Sequence, residues 1–122
     1  MFRNLFRRSR SRHREKGLAS IELIAMAPLL FTVALVITQI GIAGWTMVSA
    51  GDAARHAARA ASMGEDPYSA AEGSLPSGLH PERVEGSPSL GTVSYTVTVR
   101  VPSISIIDVG TVSRTAVMPQ TT

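Results

Sequence analysis

The hydrophobic residues of this 122-residue chain form one long block near its N-terminus. The 29 residues from Leu23 to Gly51 include no ionisable side chain, whereas about 20 apolar residues are enough to cross a bilayer as a helix. The stretch from Leu23 to Val48 is apolar on every side, which is typical of a lipid-embedded helix. It contains Pro28, which lacks an N–H, leaves the carbonyl of Ile24 unpaired and predicts a bend. The pattern therefore predicts a transmembrane helix bent at this proline.

The pattern changes after Ala50, where the sequence reads AGDAARHAARAAS. At helical spacing, one face carries Asp52, Arg55, His56 and Arg59, and the other carries Ala50, Ala53, Ala54, Ala57, Ala58 and Ala61. An alanine face allows close approach of another backbone. With Ser20 as N-cap and Glu22 in the first turn, we expect the helix to begin at Leu18 to Ser20 and to end at Ala61 or Ser62.

The C-terminal half has the pattern of a small sheet. Residues 64–91 are rich in glycine and proline and predict loops around a short helix opened by Asp66 and Pro67. Strict alternation predicts a strand from Thr92 to Val101. An apolar loop, Ser103 to Gly110, then leads to a second strand at Thr111 to Met118, and Arg83 to Glu85 is a candidate short third strand.

The predicted fold class is α+β, with a long N-terminal transmembrane helix followed by a small antiparallel β-sheet region of two or three strands. The predicted divisions are a basic leader at 1–17, the helix at 18–62, transmembrane to about 48, and an extracytoplasmic β-containing region at 63–122. Since two strands alone are marginally stable, we expect the sheet to pack on the alanine face.

Charge is distributed unevenly along the chain. Residues 1–17 have a net charge of +6, and the remaining residues have a net charge of −3. We therefore expect a single-pass protein of the inner membrane. Because positively charged flanks stay in the cytoplasm, its N-terminus is expected in the cytoplasm and its C-terminus on the extracytoplasmic side. The SRSRHR run could also contact nucleic acid or anionic lipid, but beside a membrane segment it is better explained by topology, so no nucleic-acid partner is expected.

Catalytic and metal chemistry find little support in the sequence. The chain has no cysteine, and its three histidines are widely spaced, which disfavours a metal cluster. No nucleophile, base and orienting acid can be assembled from the serines, His80 and the scattered carboxylates. We therefore expect no enzyme, no catalytic residue, no metal and no cofactor.

The junction between the leader and the apolar block is the most informative motif. It reads Lys16-Gly17-Leu18-Ala19-Ser20-Ile21-Glu22 and resembles the type IV prepilin cleavage signal. The resemblance implies that prepilin peptidase cuts after Gly17, so that Leu18 becomes the first residue and Glu22 the fifth. A glycine at the cleavage position allows the backbone to adopt an extended conformation and to enter a protease at the membrane surface. A carboxylate beside hydrocarbon needs a partner, and the new α-amine of a neighbouring chain's Leu18 is a suitable one.

Three further segments extend the resemblance over about residues 15–62. They are Ala27-Pro28-Leu29-Leu30, Ile37-Thr38-Gln39-Ile40-Gly41 and Ala53-Ala54-Arg55-His56-Ala57-Ala58-Arg59. Together they resemble the TadE-like (TadE/TadF) minor pseudopilins of tight-adherence, Flp-type pili. Two positions depart from that pattern, since Leu23 stands where an aromatic is usual and Gln39 where an acid is common.

The resemblance implies a minor pseudopilin, as a structural component or assembly factor of a pilus that serves cell adhesion. Its implied partners are prepilin peptidase, other pilins and pseudopilins, inner-membrane assembly proteins of the pilus and the membrane. It also suggests methylation of the processed chain and an extracellular location after assembly.

Two other functions stay open from the sequence. One is an uncleaved, membrane-anchored envelope adaptor, which differs only in lacking processing and assembly. The other is a small secreted domain released by signal peptidase, because Val48-Ser49-Ala50 has suitably small residues. The apolar run is, however, much longer than the 7–15 residues of an ordinary signal peptide core.

Overall fold

A computed structural model describes residues 5–104 and 108–120, with side chains for all of these except residues 5–13 and 88. The elements in chain order are the helices α1 (Leu5–Ser62) and α2 (Pro67–Ser74) and the strands β1 (Pro81–Ser89), β2 (Thr92–Arg100) and β3 (Thr111–Pro119). The predicted α+β class is thus confirmed. Of the predicted apolar loop, residues 105–107 lie outside the described part of the chain.

The first helix begins earlier than the sequence pattern predicted. It includes most of the basic leader and begins at Leu5 rather than at Leu18 to Ser20. Ser20 is therefore not an N-cap, and its hydroxyl instead donates to the carbonyl of Lys16 at 2.9 Å. Arginine and lysine are good helix formers, and one glycine costs only about 1 kcal/mol, so the leader can continue the helix.

The chain divides into two compact units, residues 1–37 and residues 38–122. The first unit consists, where described, of helix α1, which continues through Pro28. The hydroxyl of Thr32 donates to the carbonyl of Pro28 at 2.8 Å. The predicted bend at Pro28 stays a prediction.

The second unit begins with the last part of α1, whose C-terminus is closed by a glycine. Gly64 has a φ of 80°, a left-handed conformation that glycine adopts without steric cost. Its N–H donates to Ala61 at 3.2 Å, and the N–H of Glu65 donates to Ala60 at 2.8 Å. This pair of bonds is a Schellman motif, and it ends the helix at the predicted place. The short helix α2 then begins after Asp66, as predicted.

The three strands form one antiparallel sheet in the order β1-β2-β3. Strand β1 is longer than the predicted segment Arg83 to Glu85 because it continues through Gly86 and Pro88. Both residues are turn signals in a sequence, but an edge strand tolerates them. A register shift near Pro81 and Arg83 marks an irregularity at the start of β1.

The core of the second unit lies between the alanine face of α1, helix α2 and the sheet. Its buried members are Ala50, Ala53, Ala54, Ala57, Ala71, Leu75, Leu79, Val97 and Val99, and Val84, Tyr95 and Ala116 pack against them. The sheet therefore packs on the alanine face, as predicted. Ala58 is also buried, but Ala61 is only half-buried and Ala60 is buried instead.

Candidate processing and assembly site

The predicted cleavage position lies within helix α1 and is open to solvent. Gly17 and Leu18 are both exposed. Among the described residues, a Cβ atom placed on Gly17 would meet nothing within 4 Å apart from its chain neighbours and the backbone of its own helix, and Gly17 does not have a positive φ. Neither packing nor backbone conformation therefore requires a glycine at this position.

Glu22 lies one helical turn after Leu18, at a spacing that places both residues on the same helix face. Its side chain is exposed. Among the described residues, no hydrogen bond or salt bridge involves its carboxylate. The charge is thus available for a partner outside the chain.

The helix beyond Glu22 presents apolar side chains on its surface. Its exposed large residues include Leu23, Ile24, Leu29, Leu30, Phe31, Val33, Leu35, Val36, Ile37 and Ile40. Within the described chain, one helical stretch, Arg14–Ser62, is long and apolar enough to cross a membrane. No residue of its most apolar 18-residue segment is buried inside the protein, whereas the core helix of a soluble protein would be largely covered. This exposure is consistent with membrane anchoring.

Gln39 makes a long-range contact that sequence reasoning missed. Its side-chain Nε2 donates to the carbonyl of Pro102 at 3.0 Å, and the N–H of Ile104 donates to its Oε1 at 3.3 Å. An amide can donate and accept at once, whereas an ionised carboxylate can only accept. Gln39 therefore joins α1 to the loop after β2 through both the nitrogen and the oxygen of its side-chain amide.

The polar face of the second half of α1 is exposed to solvent. Asp52, Arg55, His56 and Arg59 are all exposed, and Arg55 pairs with Asp52 at 3.4 Å. An exposed pair of this kind is worth at most about 1 kcal/mol.

Across the described residues, no group of three or more His, Asp or Glu side chains is placed to hold a metal ion.

The fold and the site define a class of protein with one long, exposed apolar helix that continues into a small α+β head. Residues 17–59 match the model of the family described as TadE-like protein, which confirms the resemblance. The match suggests a protein associated with the tight-adherence pilus, in a family of structural and assembly proteins rather than enzymes. No curated protein and no solved structure gives a significant match to the chain.

Proposed function

We propose that this chain is a minor pseudopilin, a structural component or assembly factor of a tight-adherence (Flp-type) pilus, and that prepilin peptidase cleaves it after Gly17. The observation that carries the proposal is the junction itself. Gly17 is a glycine that no contact in the described chain requires, and five residues later Glu22 carries an exposed charge at the start of the apolar run. Recognition by other proteins accounts for both residues.

Cleavage requires the helix to open locally, because a peptidase binds its substrate in an extended conformation. A glycine lowers the cost of that opening by about 1 kcal/mol relative to alanine. It also leaves no side chain beside the scissile bond. The exposed position of Gly17 and Leu18 on α1 is compatible with access by a membrane protease.

Assembly gives Glu22 the partner that it lacks within the described chain. Cleavage creates an α-amine at Leu18, and in a bundle of parallel helices the amine of one copy or of another pilin can approach Glu22 of its neighbour. A carboxylate facing hydrocarbon costs up to about 3 kcal/mol unless it is paired. Pairing would therefore stabilise the assembly and would also set the axial register of neighbouring helices.

The proposal places the protein in the inner membrane before assembly, with its N-terminus in the cytoplasm. The basic leader and the exposed apolar helix support this orientation. In this proposal its partners are prepilin peptidase, other pilins and pseudopilins, and the membrane proteins that assemble the pilus.

Release by signal peptidase is a less suitable alternative, because the cut would pass through the folded head. Ala50 is fully buried in the core, and Thr46 and Ser49 are also buried before it. Cleavage after Ala50 would remove these residues and the Gln39 contact with the loop. The uncleaved adaptor has the same fold as the pseudopilin precursor, and only processing separates the two.

The Glu22→Ala variant tests assembly directly. We expect it to be inserted and cleaved normally, and to appear in sheared pilus fractions at about one tenth of the wild-type level or less, since a loss of about 1.4 kcal/mol is a factor of ten. Quantitative immunoblots of membrane and pilus fractions provide the measurement.

Glu15→Ala is the matched control, because it removes an exposed acid of the leader that cleavage would discard. It should reach the pilus fraction at the wild-type level. Equal recovery of the Glu22 and Glu15 variants would contradict the proposed role of Glu22.

A further inference from the structure

The loop between β2 and β3 is fixed at both of its described ends. At its base, the N–H of Val101 donates to the carbonyl of Gly110 at 3.0 Å. On the side of the helix, Gln39 bonds the backbone of Pro102 and Ile104. The flanks of the loop are therefore held at the level of Gln39 on α1.

The position of Gln39 in the sequence indicates membrane depth. It is the 17th residue of the charge-free run that begins at Leu23, and a helix needs about 20 residues to cross the hydrocarbon. At about 1.5 Å per residue, Gln39 lies roughly 5 Å inside the end of such a minimal crossing, and about 14 Å inside the outer boundary if the helix is transmembrane to about residue 48, as predicted. Trp45, six residues later, is exposed on the helix, and tryptophan is enriched at membrane interfaces.

The hydrogen bonds of Gln39 give partners to two backbone groups of the loop at this level. An unsatisfied backbone group in hydrocarbon costs several kcal/mol. The carbonyl of Pro102 and the N–H of Ile104 both have partners, and the same two bonds use one side-chain N–H and the carbonyl oxygen of Gln39. The contact therefore lowers the cost of placing this part of the backbone near the hydrocarbon.

The described side chains on the flanks of the loop include two exposed apolar residues and one charged residue. Ile104 and Val109 are exposed, at 48% and 42%. Asp108 accepts from the N–H of Gly110 at 2.9 Å and pairs with Arg100 at 4.0 Å. Arg100 also pairs with Glu82 at 3.6 Å, so the charges are grouped at the end of the sheet, where headgroups and water can solvate them.

We propose that Ile104 and Val109, on the two described flanks of this loop, insert into the outer leaflet of the membrane and hold the head against the phospholipid surface before assembly. Ile104 and Val109 contact the acyl chains, and Gln39 fixes the depth of insertion. The proposal rests on the membrane anchoring in the proposed function, but not on cleavage or pilus assembly.

Fluorescence quenching in vesicles tests the insertion. The chain has no cysteine, so a single Ile104→Cys variant of the full chain can be labelled with an NBD dye. It is reconstituted in vesicles of phosphatidylcholine and phosphatidylglycerol that carry a nitroxide at acyl position 5. We expect blue-shifted emission and quenching at least threefold stronger than for Leu90→Cys, the control at the fully exposed turn between β1 and β2.

A label at Leu29→Cys separates the two possible failures. Leu29 lies on the exposed apolar helix, so its label is quenched in any chain that is anchored in the membrane. If the Leu29 label is quenched but those at positions 104 and 90 are equally unquenched, loop insertion is overturned and anchoring stands. If the Leu29 label is also unquenched, the membrane anchor of the proposed function fails as well.

Two further measurements exclude other origins of the signal. Quenching at Ile104→Cys that appears only at high protein-to-lipid ratio would overturn the proposal in favour of contact with a second copy.

Adding Gln39→Leu to the labelled variant should reduce quenching at position 104 at least twofold, while quenching at position 29 is unchanged. Unchanged quenching at position 104 would overturn the role of Gln39.

Discussion

At the scale of single residues, Gly86 and Tyr95 form a close pair across β1 and β2. They are direct partners in the strand register. A Cβ atom on Gly86 would lie 2.5 Å from Cζ and 2.8 Å from Oη of Tyr95, so the phenol ring lies across the glycine. The ring covers backbone of the edge strand that a side chain would otherwise cover, and Tyr95 packs against the core from this position.

We therefore expect Gly86→Ala to displace the ring of Tyr95 and to destabilise the head by about 1–3 kcal/mol, as overpacking does elsewhere. Hydrogen exchange of β2 amides in the detergent-solubilised chain measures the opening free energy. Gly73→Ala in α2 is the matched control, because a Cβ there meets nothing within 4 Å, and it should be neutral or slightly stabilising. Equal effects of the two variants would show that the ring is free to move.

Gln39 shows what a sequence can and cannot predict about a single residue. The sequence shows that Gln39 is a polar residue in a charge-free apolar run and that it departs from the family pattern. The sequence does not show which groups Gln39 contacts, because Gln39 and Pro102 are 63 positions apart, and no local pattern encodes such a pairing. Gly17 and Glu22 are exposed, and the roles predicted for them rest on the junction motif rather than on contacts.

At the scale of elements, periodicity predicted the interiors better than the ends. The alternation from Thr92 identified β2 and its buried face, including Val97 and Val99, because one face of the strand packs on the core. The predicted start of α1 is wrong because the helical propensity of the basic leader outweighs the cap that Ser20 offers. The predicted segment Arg83 to Glu85 is shorter than β1 because glycine and proline favour loops in a sequence pattern. In the structure, the ring of Tyr95 supports Gly86 from the neighbouring strand.

The short helix α2 depends on a cap with a pH-dependent charge. The carboxylate of Asp66 accepts from the hydroxyl of Ser69 at 2.6 Å and from the backbone N–H groups of Ser69 and Tyr68. The hydroxyl bond of Ser69, followed by its backbone N–H, lowers the pKa of Asp66 below its ordinary value of 3.8. Folding therefore favours the charged form of this carboxylate.

The sign of the pH effect follows from this shift. The stabilisation by Asp66 is present above pH 3.8 and is lost as the pH falls through the lower folded-state pKa. We expect amide protection at the start of α2 to decrease over this window in the wild type, measured by hydrogen exchange. Asp66→Asn, which caps without titrating, should show a smaller decrease, and Asp66→Ala should show low protection throughout. An identical decrease in the wild type and Asp66→Asn would contradict the cap as its cause.

At the scale of the whole molecule, the head uses part of the apolar helix as its own scaffold. The second unit begins at Thr38, and the three-stranded sheet covers its inner face with the alanines of α1. A small sheet is marginal alone and needs such support. The family match ends at residue 59, so the sheet was predictable only from its own alternation. The head and the predicted membrane anchor therefore share one continuous helix.

The most direct test of the central claim is N-terminal sequencing of the membrane-fraction protein from cells with and without prepilin peptidase activity. We predict a chain that begins at Leu18 when the peptidase is active and retains the leader when it is absent. A start at Met1 under both conditions would contradict processing and indicate a plain membrane anchor. A start at Gly51 would contradict the pseudopilin and indicate a secreted domain.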